Sequence, residues 1–145
     1  MRKLVAPLPI FAFVALELGP LFVFASACST TTSSEPAPAP TGAVVVDWTI
    51  DGVKDPDRCA QSAVDTVQIT VTNEAGAAVG TFQQACSAFS TQITLFPGMY
   101  NADAVLLDSV GNTRTTTLPI HTFSIHGSDT LSVPIDFPPG SFLGS

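Results

Sequence analysis

The chain is short of charge. Only 12% of its 145 residues are Asp, Glu, Lys or Arg, about half the usual figure of roughly 25%. Cations are scarcer still: five Lys+Arg face twelve Asp+Glu for a formal net charge of −7, and past position 28 only Lys54, Arg58 and Arg114 are basic. So few cations cannot neutralise a run of phosphates, which excludes nucleic acid as a partner. No stretch past residue 42 holds a 3.6-residue apolar period, so helical content should be near zero. G-x-S-x-G, H-E-x-x-H and P-loop patterns are absent, and no cofactor is expected.

What is present reads as one exported domain. A hydrophobic share of 46% rules out wholesale disorder, and 145 residues allow one ordinary domain. Met1-Arg2-Lys3 is a short basic head, followed by an apolar run from Leu4 to Ala27 that ends Ala25-Ser26-Ala27-Cys28. This is the layout of a secretory signal peptide over residues 1–27. Glu17 and Pro20 inside the run weaken the alternative of a stable membrane span. Ala25-x-Ala27 suits ordinary signal peptidase; small residues followed at once by Cys28 resemble the lipobox of bacterial lipoproteins, which implies a lipid on that cysteine. Residues 28–42 hold Ser and Thr, then Pro alternating with Ala, and no large apolar residue, so they cannot form a core. A disordered, partly polyproline tether is expected there. The mature part is too acidic to bind an anionic membrane surface directly, which leaves a lipid as the anchor.

From Ala43 onward the apolar period is two. Val44, Val46, Trp48 and Ile50 alternate with Val45, Asp47 and Thr49; Val67, Ile69 and Val71 with Gln68, Thr70 and Thr72; Tyr100, Ala102, Ala104 and Leu106 with Asn101, Asp103 and Val105; and Leu131, Val133, Ile135 and Phe137 close the chain in the same rhythm. Asn73–Gly76 and Asp108–Asn112 are turn signals; the strands they introduce are expected over Ala77–Gln84 and Arg114–Leu118. Ile93 and Leu95 mark one more. Pro134, on the outward face of the last strand, assigns that strand to a sheet edge. About seven strands in roughly 100 residues is the arithmetic of a single all-β, Greek-key β-sandwich. Its boundaries are expected at 43–138, with 139–145 as a C-terminal tail. The inward phase predicts burial of Trp48, Val67, Ile69, Ile93, Tyr100, Leu106, Leu131, Val133 and Ile135.

Pro97-Gly98-Met99-Tyr100 resembles the strand entry of bacterial Ig-like and transthyretin-like (carboxypeptidase regulatory-like) modules. Pro-Gly makes the corner, and Tyr can bury its ring while its hydroxyl reaches a backbone partner. Signal, cysteine, Pro-rich tether and sandwich together resemble lipoproteins of Gram-negative bacteria. That resemblance implies a lipid on Cys28 and, with Ser29 next, sorting to the outer membrane. Hydroxyisourate hydrolase, an enzyme family on a transthyretin fold, ends Tyr-Arg-Gly-Ser; Phe142-Leu143-Gly144-Ser145 lacks the Arg, and strand 43–50 has no His.

The remaining chemistry is thin. Cys59 and Cys86 lie in the folded part of an exported chain and are expected to form a structural disulfide; redox and metal pairs want closer spacing such as C-x-x-C. Asp47, Asp51, Asp55 and Asp57 crowd the end of the first strand and its loop, where a calcium ion would want carboxylates. They lack the D-x-D-x-D-G spacing, so a solvated turn with Asp capping backbone groups is expected and no metal. His121 and His126, five apart on extended chain, point to opposite faces unless a bulge intervenes. His126-Gly127-Ser128-Asp129 sits in one turn, where the side chains of a triad cannot converge. Thr113–Thr117 reads as a strand with a solvated hydroxyl face. The function expected is a membrane-anchored, non-catalytic envelope module that binds, spaces or scaffolds an envelope protein or polysaccharide. The alternatives are a calcium-stabilised surface adhesin and a periplasmic hydrolase.

Overall fold

Among the described residues, alternation of buried and exposed positions organises seven strands into two sheets. The computed structural model describes Ala37 and residues 39–144. The expected signal peptide, Cys28 and most of the tether lie outside those residues. In chain order the elements are β1 (Gly42–Ile50), α1 (Pro56–Gln61), β2 (Thr66–Asn73), β3 (Ala78–Ala85), β4 (Ser90–Leu95), β5 (Gly98–Leu107), β6 (Leu118–Ile125) and β7 (Thr130–Phe137). One sheet has the order β4-β1-β7 and the other β3-β2-β5-β6, so the expected all-β sandwich is the fold. β1 is central in its sheet, antiparallel to β4 and parallel to β7.

The core lies between the sheets, where the inward phase of each strand meets. Val44, Val46, Trp48 and Ile50 of β1 pack against Val67, Ile69 and Val71 of β2, with Ala104 and Leu106 of β5, and all are buried. Trp48 is fully enclosed and its Nε1–H donates to the Cys86 carbonyl at 2.8 Å, which satisfies the one polar atom that its burial would strand. Leu131, Val133 and Ile135, expected in the core, are only half-buried. β7 is the edge strand that Pro134 implies, and an edge strand has a neighbour on one side only.

Four expectations need correction. Helix is present: α1 occupies the stretch read as a polar loop, started by Asp55, whose side chain accepts from the Asp57 N–H at 2.9 Å, with Pro56 in the first turn. The sixth strand runs over Leu118–Ile125 and not Arg114–Leu118. A bulge explains the miss: Tyr100 pairs with Phe123 and Ala102 with Ile120, so His121 and Thr122 together face Asn101 and the alternation skips a beat. Thr115 is correspondingly not on a solvated face. It is buried, and its Oγ1 accepts from the Leu106 N–H at 3.0 Å, doing in side chain what a strand partner would do in backbone. Residues past 138, expected as a tail, pack on the sandwich through buried Ser141, half-buried Phe142 and the Leu143 N–H bonded to the Arg114 carbonyl.

Candidate functional site

The two ends of the sandwich differ in chemistry. At one end the chain enters. Gly42 starts β1 opposite Leu95 of β4, and the turn between β6 and β7 closes over it: Ala43 N–H donates to the Asp129 carbonyl at 2.8 Å and Ser128 N–H to the Thr41 carbonyl at 3.0 Å. A Cβ on Gly42 would stand 2.6 Å from the His126 carbonyl oxygen, 2.7 Å from Ile125 Cγ2 and 2.9 Å from the Asp129 carbonyl oxygen. Only glycine fits this gate. Pro40 lies just outside it, against Gly127, and Pro97 of the β4–β5 turn is close by. That turn carries the most open apolar side chains of this end, Phe96 at 62% and Met99 at 47% exposed. Tyr100 holds it from beneath, its ring buried beside Phe123 at 5.9 Å between centroids and its hydroxyl donating to the Phe96 carbonyl at 2.8 Å. The Pro-Gly-x-Tyr corner thus has the geometry its residues imply. An open depression of about 520 Å³ lies between this turn and the Asn73–Ala75 turn.

The far end carries the three cations of the sandwich and a staple. Cys59 on α1 bonds Cys86 in the short 3-10 turn Cys86–Ala88, with Cα atoms 6.1 Å apart, so the expected disulfide is formed. The four aspartates flagged for calcium are divided among other tasks. Asp47 accepts from Lys54 Nζ at 3.0 Å and from Ser132 Oγ at 3.3 Å, Asp51 faces Arg58 at 3.6 Å, Asp55 caps α1, and Asp57 sits in its first turn. Among the described residues no three of His, Cys, Asp or Glu come together as a metal-holding group. Asp108 closes the Asp108–Asn112 turn by accepting from the N–H groups of Val110 and Asn112, at 3.0 and 2.8 Å. The bond from the Asn112 backbone leads in holding the Asp108 carboxyl below the ordinary aspartate value.

Lys54, by hydrogen bond, does the same for Asp47, against the opposing effect of its partial burial. The sign follows. A carboxyl whose folded pKa lies below 3.8 contributes stability at every pH above 3.8, and loses it as pH falls through the depressed value. Asp47→Asn should therefore flatten the acid limb of a melting-temperature profile below about pH 4. Because the Lys54 pair is exposed, the change at neutral pH should stay below about 1 kcal/mol. An unchanged acid limb would remove Asp47 from the account.

His121 projects from the β6 bulge and His126 follows the end of β6; both are exposed, and neither hydrogen-bonds a carboxylate or hydroxyl among the described residues. The bulge supplies the exception that sequence phase allows. Ile120, Phe123 and Ile125 all turn inward, so His121 and Thr122 are both solvent-facing. His121 borders a groove of about 240 Å³ between β6 and β7, lined also by Pro119, Pro134 and Asp136. The Gly42 gate was missed by sequence reasoning, since its walls lie more than 80 residues away along the chain.

No family profile and no curated protein matches the chain. Three crystal structures from Bacteroides thetaiotaomicron resemble it in fold. A DUF1812 protein described as a candidate for polysaccharide binding has 13% identity and a TM-score of 0.39, over 64% of this chain and 46% of its own. A candidate adhesin has 15% identity and a TM-score of 0.42, over 69% and 46%. A leucine-rich repeat protein has 15% identity and a TM-score of 0.37, over 70% and 14%. The chain thus spans less than half the length of each of these proteins.

Proposed function

We propose that this chain is a lipid-anchored lipoprotein of the bacterial outer membrane whose β-sandwich is a non-catalytic binding, spacing or scaffolding module. What supports the reading is the sequence from Cys28 to β1 together with the way β1 begins. A small-residue run ending in Cys28 is followed in the sequence by a Ser/Thr/Pro-rich stretch, and the described end of that stretch, Pro40 to Gly42, enters through the gate into a strand bonded on both sides. A pull on such a tether is resisted by the ladders to β4 and β7 together, as an anchored module requires. The non-catalytic part is supported by the separation of His121, His126 and the aspartates into different local tasks. The partner is an envelope protein or a polysaccharide; an acidic but charge-poor surface rich in hydroxyls and amides suits either.

Metabolic labelling with palmitate tests the anchor. The wild-type chain should incorporate label, and Cys28→Ser should fall to background, at least tenfold lower. A wild-type chain without label would overturn the lipid, and with it the anchored module.

A further inference from the structure

The two flanks of the sandwich are built on different rules. On one, the edges are β6 and β7, and both are blunted. Pro119 and Pro134 remove N–H donors, and His121 and Asp136 add polar or charged groups. On the other flank the edges are β3 and β4. Neither contains Pro, Lys or any charged residue: residues 75–102 hold no Asp, Glu, Lys, Arg or His at all, and the twelve acidic residues of the chain lie outside that run. Edge strands present unpaired N–H and C=O groups, and proteins that stay apart protect them with charge, proline or distortion. β3 has one such device. Val79 is bulged out, since Val71 pairs with Gly80 and Thr72 with Ala78. The bulge leaves Gly80–Ala85 in regular pairing with β2. Six residues make an edge long enough to pair. The Phe82 ring covers Gly80, with its Cζ 3.0 Å from where a Cβ would stand. That contact supports the strand where it has no side chain of its own.

We infer that β3 is a docking edge for β3 of a second copy, the two pairing antiparallel about a two-fold axis to join their four-stranded sheets into one. Charge selects the occupant. A molecule of −7 repels its copies wherever carboxylates would meet, and this edge brings none across. Antiparallel pairing of one strand with itself also makes the contact self-complementary, as a two-fold interface requires. Each Gly42 gate lies in the other, three-stranded sheet of its copy, and antiparallel pairing sets the two gates toward opposite ends of the strand direction, offset by about 26 Å along an eight-residue strand. If Cys28 carries the lipid as proposed above, residues 29–41 reach roughly 40 Å when extended, enough for both copies to share one membrane. The pairing itself does not rest on that reading.

Sedimentation equilibrium of the full chain in a density-matched neutral detergent tests it. The wild type should sediment as a dimer. Thr81→Lys with Gln83→Lys, both on the exposed face of β3, should raise the dissociation constant at least tenfold with an unchanged melting temperature at dilutions where both proteins are monomeric, while Ser124→Lys on β6 should leave the dimer intact. If the double variant melts early, Thr81→Lys alone is read in its place. A monomeric wild type, or a dimer that survives the β3 lysines, would overturn the proposal.

Discussion

Replacing both Cys59 and Cys86 by Ala should cost about 2–5 kcal/mol of stability and leave the β-sheet spectrum in place. The bridge joins positions 27 apart, and closing a loop of that size in the unfolded chain is worth about 3–4 kcal/mol in the chain-entropy model. Local structure adds to the expectation. α1 has six residues, too few to hold helix without tertiary support, and Cys59 is its one buried residue. Loss of the bridge should therefore free α1 first. The sheets should survive, because the Trp48 indole still holds the Cys86 carbonyl and the β1 ladders do not pass through the staple. Urea unfolding followed by far-ultraviolet circular dichroism reads both quantities. A double variant with the wild-type midpoint would show that the bridge contributes nothing.

Gly42→Ala should be the most damaging conservative change at the tether junction. The two nearest oxygens, of His126 and Asp129, belong to backbone and cannot swing aside. The turn that holds them must move, and Ala43 N–H and Ser128 N–H lose their geometry with it. Forcing atoms into a filled site costs typically 1–3 kcal/mol, and two strained hydrogen bonds put this case at about 2–3 kcal/mol. Gly111→Ala is a useful contrast. Nothing lies within 4 Å of its Cβ position, and only its φ of +87° resists the change, so its cost should stay near 1 kcal/mol. Equal melting temperatures for Gly42→Ala and the wild type would mean that the gate is looser than its distances state.

Strands with an unbroken two-residue period were legible from sequence, and those with a flaw were not. β1, β2 and β5 are flanked on both sides and bury one face each, so their apolar alternation is clean. β6 carries Ile120 and Phe123 three apart across its bulge, and no periodic template finds a strand there. α1 was hidden by its length, although Asp55-Pro56-Asp57 is a readable helix start. The disulfide was legible because only two cysteines lie past Cys28. The Gly42 gate and the unguarded β3 edge were not, for one shared reason. Each is made by segments far apart in sequence, and which of them become neighbours or edges is decided by strand order.

The central claim is that Cys28 is the anchored N-terminus of a tethered sandwich. Mass spectrometry of the protein isolated from native membranes tests it most directly. The account predicts an N-terminal fragment beginning at Cys28 and heavier than its sequence by a diacylglyceryl group, with or without a further acyl chain. A fragment beginning at an unmodified Cys28, or one that retains residues 1–27, would contradict it.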